Sequence, residues 1–126
     1  MTSERIHSLA RSRNWQDRMR ATALLAESSN DDAVMQLRDL LNDKDLAVIK
    51  AAAGTLVVKW GVKGLGIVLE ALANADDQVS AHLLDTLNEL WFEGVDVPAM
   101  CKTIMTGKST VASASAQDVL SELGAT

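Results

Sequence analysis

The residues with reactive side chains are few, and their spacing argues against a catalytic or metal site. The chain has two histidines, His7 and His82, and a single cysteine, Cys101. A structural zinc site needs four clustered histidine or cysteine ligands, which these three residues cannot supply. One cysteine also excludes an intramolecular disulfide, which is typical of a reducing compartment. We therefore expect no metal, no cofactor and an unreactive thiol that is buried or semi-exposed.

Two glycine motifs share part of their pattern with nucleotide-binding loops. Gly107-Lys108-Ser109 is the end of a phosphate-binding loop, but Lys102 stands where that loop needs its first glycine. Gly61, Gly64 and Gly66 have the spacing G-x-x-G-x-G, the reverse of the dinucleotide-binding fingerprint. We interpret the first motif as a helix end followed by an N-cap. The second predicts a turn between paired helices, with Gly66 allowing close approach.

Four pairs of carboxylates are close in sequence: Asp31 with Asp32, Asp43 with Asp45, Asp76 with Asp77, and Glu89 with Glu93. The first three pairs stand where an apolar helical pattern begins. There a carboxylate can accept from free backbone N–H groups and interacts favourably with the helix dipole. Glu89 and Glu93 are one helical turn apart and are expected to face water. None of these pairs predicts an acid–base dyad, so we expect no enzymatic activity.

The elements that position these residues are helices. The chain has 126 residues, 48% of them hydrophobic, with one phenylalanine, no tyrosine and one proline. Strand-rich folds need aromatic and turn residues, so this composition predicts an all-α fold. The length suits one domain, spanning residues 1–126, with a real hydrophobic core.

A repeat of 31 to 32 residues runs along the chain. Val34, Leu65 and Val97 begin three similar apolar faces and are spaced 31 and then 32 residues apart. Val48 and Val79 begin a second family of amphipathic helices with the same period. Two helices per repeat cannot bury their apolar stripes alone, so stacked repeats are expected to share a core.

Cap residues recur in phase with this repeat. Asn14, Asp45 and Asp76 are 31 residues apart, each just before a helical pattern, and Ser109 takes this role one step later, next to Lys108, which breaks the series. The pattern predicts a leading helix over 3–11, helix pairs within 15–106 and a capping helix over 109–123. The pairs are predicted at 15–28 and 31–42, at 45–60 and 64–74, and at 77–92 and 97–106.

The segments 45–53, read as DLAVIKAAA, and 76–81, read as DDQVSA, resemble the HEAT-repeat family in its short-repeat, bilin-lyase-like variety. In both segments an acidic residue precedes a valine, and small residues follow. The resemblance implies a right-handed α-solenoid of about eight helices. It also implies that the second helices of the pairs line a concave face.

That alignment selects a set of candidate partner-binding residues. Five are at outward positions of the second helices and two are in an acidic turn: Gln36, Asp39, Ile67, Glu70 and Lys102, with Glu93 and Asp96. Ile67 is apolar at a position predicted to be exposed, which favours a binding surface, although it could instead pack into a neighbouring turn. Trp60 and Trp91 occupy equivalent positions typical of core plugs. One of Trp91 and Phe92 could be exposed beside Glu93.

The charge distribution favours a basic protein partner. The net charge is −5, with a surplus of arginine in residues 1–20 and of carboxylates in residues 70–126. Nucleic-acid binding needs a basic face, which this balance disfavours. No apolar stretch is long enough for a membrane span. We expect a cytoplasmic monomer or weak homodimer.

These observations predict a non-catalytic protein-interaction module that binds through its concave face and acidic turns. One alternative is an immunity or inhibitor protein that neutralises a basic toxin or enzyme by electrostatically steered association. A third is an enzyme, because some HEAT-like proteins act as bilin lyases or DNA glycosylases.

Overall fold

The computed structural model describes residues 2–125, which form helices and connecting turns, with no strand among them. The helices are α1 (Ser3–Ala10), α2 (Trp15–Leu25), α3 (Asp31–Leu40), α4 (Leu46–Ala73), α5 (Asp77–Phe92), α6 (Val97–Met105) and α7 (Thr110–Leu123). The predicted all-α class is confirmed. Several predicted helices extend too far: α2 ends at Leu25 rather than residue 28, and α3 ends at Leu40 rather than residue 42.

The predicted cap residues begin their helices. The side chains of Asn14, Asp45, Asp76 and Ser109 each accept a hydrogen bond from a backbone N–H in the first turn, at 2.8 to 3.2 Å. Each cap fixes the point where a helix starts. These four caps therefore determine where α2, α4, α5 and α7 begin.

The two helices predicted at 45–60 and 64–74 join without a loop. Gly61, with φ 58° and ψ −130°, is the only non-helical residue inside α4 and turns the chain between its two segments. This backbone conformation favours glycine because it has no Cβ. The expected turn is present, but the close approach is at Gly64 and not at Gly66. A Cβ on Gly64 would overlap the carbonyl of Leu56, whereas one on Gly66 would meet nothing within 4 Å.

The core is continuous and centred on α4. Fully buried leucines at 56 and 65 in α4 belong to the same cluster as Leu37 of α3, Leu87 of α5 and Val119 of α7. Helices α1, α2 and α3 pack against one another, and α2 and α3 also pack on α4. Helices α5, α6 and α7 likewise pack together and on α4. Within residues 2–125, no helix of the first group contacts one of the second.

A buried ion pair made by Arg18 of α2 links the α1–α2 turn to the α3–α4 turn. Arg18 donates from Nε and Nη2 to the two carboxylate oxygens of Asp43, at 2.7 and 3.1 Å, and from Nη1 to the backbone carbonyl of Ser12 at 2.8 Å. Asp43 also accepts from the backbone N–H of Asp45 at 2.9 Å. Both charged side chains are only 7% exposed. The hydrogen bonds to Asp43 raise the pKa of the Arg18 guanidinium.

Candidate interaction surface

The single thiol is not placed for chemistry. Cys101 is fully buried in α6, and this burial raises its pKa to about 11. The thiolate is the reactive species, so at neutral pH this cysteine is almost entirely in its inert form. Within residues 2–125 no three histidine, cysteine, aspartate or glutamate side chains are grouped to hold a metal. Ser109 caps α7 and is not part of a phosphate-binding loop.

We expect the Cys101 thiol to be unreactive in the native state. We also expect it to make the free energy of unfolding depend on pH. A thiol reagent at pH 8 should label the unfolded chain rapidly and the native protein only as fast as it opens. Above about pH 9 the unfolded thiol ionises while the folded one stays protonated to about pH 11. The free energy of unfolding should therefore fall across this window more steeply than in Cys101→Ala, as measured by urea denaturation. Equal slopes would contradict the burial of this thiol.

The turn between α5 and α6 is held in one conformation by backbone hydrogen bonds. Gly94, at φ 108°, donates to the carbonyl of Trp91 at 3.0 Å, and Val95 donates to the carbonyl of Leu90 at 2.9 Å. This pair of bonds is the Schellman motif, which a glycine at the left-handed position completes. Val95 packs against the core, and Asp96 then caps α6 by accepting from the N–H of Ala99 at 3.1 Å.

This rigid turn presents an aromatic side chain to solvent. Phe92 is 94% exposed at the end of α5, and Trp91 beside it is 37% exposed. Together with Asn88, Glu89 and Glu93 these two aromatics line a shallow depression of about 430 Å³. The prediction that one of the pair is exposed is confirmed. The expectation that Trp91 is a core plug is wrong, whereas Trp60 is partly buried and packs against the core.

The surroundings of Phe92 are acidic. Asp85 and Glu89 are exposed on one face of α5, and Glu93, four residues further on, is exposed at its C-cap. Lys50 of α4 approaches Glu89 at 3.6 Å, but the carboxylate remains largely exposed. Residues 64–101 contain seven carboxylates and no lysine or arginine. The turn therefore combines an exposed aromatic side chain with a surplus of negative charge.

The concave-face residues do not share one continuous groove. Gln36 was predicted to be exposed, and this is wrong: it is 8% exposed because α1 packs beside α3 and covers it. Its amide donates to Asp32 at 2.8 Å, while its Oε1 has no hydrogen-bond donor. Gln36 and the exposed Asp39 line a groove of about 250 Å³ together with His7 and Arg11 of the α1 end.

The remaining predicted residues are dispersed. Glu70 is half-buried, accepts from the Ser109 hydroxyl at 3.4 Å, and lines a different groove of about 780 Å³. Ile67 is half-buried and packs against the core, as its alternative interpretation predicted. Lys102 is exposed on α6. Glu93 and Asp96 are both exposed at the α5–α6 turn, beside Phe92 in the chain.

Sequence reasoning did not include Phe92 itself among the site residues, although it noted the Trp-Phe pair. Its place in the sequence could have identified it. Phe92 lies between Glu89 and Glu93, two residues before Gly94, where a glycine is typical of a helix end. A side chain at the last residue of such a helix has no following turn to cover it.

Comparison with family models, with curated proteins and with solved structures gives no match to this chain. Among residues 2–125, every helix is too short or too polar to cross a lipid bilayer.

Proposed function

We propose that this chain is a non-catalytic protein-binding module built as a short HEAT-like α-solenoid. The packing on α4 supports the architecture, because α2 and α3 contact α4 from one group and α5, α6 and α7 from the other, and within residues 2–125 no helix of one group contacts a helix of the other. The caps that recur with the 31-residue spacing support a repeat, and the core cluster extends through successive helices. The right-handed superhelical sense rests on the resemblance to HEAT repeats.

The observation that carries the binding function is the exposure of Phe92. Aromatic side chains bury a large apolar area and dominate many interfaces, and a rigid turn loses little conformational entropy on binding. Glu89 and Glu93 beside it would steer a basic partner and orient it. The partner is therefore expected to place a basic surface with an apolar pocket over this turn.

The test is affinity capture with wild-type protein and with Phe92→Ala as baits, followed by measurement on the purified partner. We expect Phe92→Ala to weaken binding about 30-fold, the effect of removing an interface anchor. The variant should keep the wild-type melting temperature because the side chain packs against almost nothing. Val58→Ala is the matched control, since it removes an apolar side chain that is 65% exposed on α4. A partner whose affinity is the same for both variants would contradict the proposal.

A second pair of substitutions tests the concave face. Asp39→Lys with Glu70→Lys reverses one carboxylate in each of the two grooves. If the grooves extend the binding surface, this variant should lose further affinity for the same partner at low salt. An unchanged affinity would restrict the interface to the α5–α6 turn.

A further inference from the structure

Two surfaces of the chain have opposite charge. Five of the six arginines of the chain lie within residues 5–20. Arg18 is paired with Asp43, but the others, at positions 5, 11, 13 and 20, are exposed. Only two carboxylates, Glu4 and Asp17, accompany them in residues 2–25. Trp15, which is 45% exposed, begins α2 within this arginine-rich segment. We call this surface the basic end.

The second surface is the α5–α6 turn with its exposed carboxylates and Phe92, which we call the acidic end. Within residues 2–125 no ion pair joins the two surfaces, and no helix of α1–α3 contacts one of α5–α7. In two separate copies, the basic end of one chain can meet the acidic end of the other. Opposite charges on separate parts of a single rigid surface favour a head-to-tail arrangement.

We propose that the chain self-associates head to tail, with the basic end of one copy seated on the acidic end of the next. Phe92 supplies the apolar centre of the contact, against which the arginine side chains can place their alkyl stems and guanidinium planes. The inference rests on the proposed function in one respect, since both use the acidic end. It names a second copy of this chain as an occupant of that surface.

The contact is expected to be weak and sensitive to salt. It is built largely from exposed charges, which are screened over a Debye length of about 30 Å at 0.01 M salt and about 3 Å at 1 M. A head-to-tail contact leaves one free end of each kind, so it does not stop at two copies. The average mass should therefore rise steadily with protein concentration at low salt.

The experiment uses sedimentation velocity on the full chain and on two variants, each altered at one end. Asp85→Lys with Glu93→Lys changes the acidic end and leaves the cap residue Asp96 intact. Arg13→Gln with Arg20→Gln changes the basic end and leaves the buried Arg18 intact. Circular dichroism melting confirms that both variants fold. Wild type should associate at about 0.01 M salt and be monomeric at about 1 M.

The two variants also provide a rescue test. Each should be monomeric alone, because one half of the contact is missing. Their equimolar mixture should associate, since the native basic end of the first meets the native acidic end of the second. A wild type that remains monomeric up to ~1 mM at low salt would overturn the inference, as would association that neither variant alters or a mixture that stays monomeric.

The outcome is separable from that of the proposed function. The variant Arg13→Gln with Arg20→Gln keeps the acidic end and should still capture a separate basic partner. If that capture depends on Phe92 while wild type is monomeric, the protein-binding function stands and self-association fails. If wild type associates but no Phe92-dependent partner is captured, self-association stands and the proposed protein-binding function fails.

Discussion

Replacing Gly64 by alanine is expected to destabilise the protein by about 3 kcal/mol, a loss typical of overpacking a close contact. The added Cβ would overlap the backbone carbonyl of Leu56, which belongs to the other segment of α4. A flexible side chain could move aside, but here the obstacle is backbone, so the two segments would have to separate. Leu56 and its neighbour Leu65 are fully buried, and their packing would be lost with that movement. Urea denaturation followed by far-ultraviolet circular dichroism measures the change.

Gly66→Ala is the matched control for this substitution. Gly66 has helical backbone and no atom within 4 Å of the position where its Cβ would be built. Alanine there should be neutral or should stabilise the protein by about 0.5 to 1 kcal/mol, because glycine loses more backbone entropy on folding. Similar effects from the two substitutions would show that the segments of α4 do not approach at Gly64.

Removal of the Arg18 side chain is expected to have the second-largest effect. Arg18→Ala leaves the carboxylate of Asp43 buried without its cation and frees the carbonyl of Ser12. An uncompensated buried charge is strongly destabilising, so we expect the melting temperature to fall on the order of 10 °C. The melting temperature of Arg18→Lys should lie between those of wild type and Arg18→Ala, because an ammonium group cannot reproduce the planar bidentate contact of the guanidinium. Differential scanning calorimetry at neutral pH provides the measurement.

An exposed ion pair is the appropriate comparison for Arg18. Lys63 lies 3.5 Å from Asp31, and both side chains are mostly exposed. Lys63→Ala should change the melting temperature by less than about 2 °C, because exposed pairs contribute little. A fall as large as that of Arg18→Ala would mean that burial is not what makes the Arg18 pair important.

The periodic features of the sequence predicted much of the local structure. Apolar spacing and cap residues identified the helices, because a cap such as Asp45 or Ser109 interacts only with its own first turn. Burial of the central repeat positions, such as Leu37 and Val68, also followed from periodicity. These features depend on residues close together in one helix, so the spacing of residues in a single sequence is enough to predict them.

The features that depend on contacts between distant residues could not be predicted in the same way. Gln36 is buried where α1 packs beside α3, and Gly64 rather than Gly66 makes the close approach to Leu56; neither contact is encoded in the periodicity of one helix. Arg18 and Asp43 are 25 residues apart, and neither interrupts the apolar pattern. Trp91 is 37% exposed whereas Trp60 packs against the core, although the sequence spacing assigns the two to equivalent positions.

The single-residue turn at Gly61 has a consequence for how the chain folds. Because two long helical segments meet with almost no intervening loop, the entropy cost of bringing them together is small. The two segments of α4 can therefore pack together early, because their contacts are close in sequence. The groups α1–α3 and α5–α7 can then pack on them independently. Low contact order of this kind favours rapid folding. The two segments of α4 are the last part expected to open, so their amides should exchange with solvent only through global unfolding.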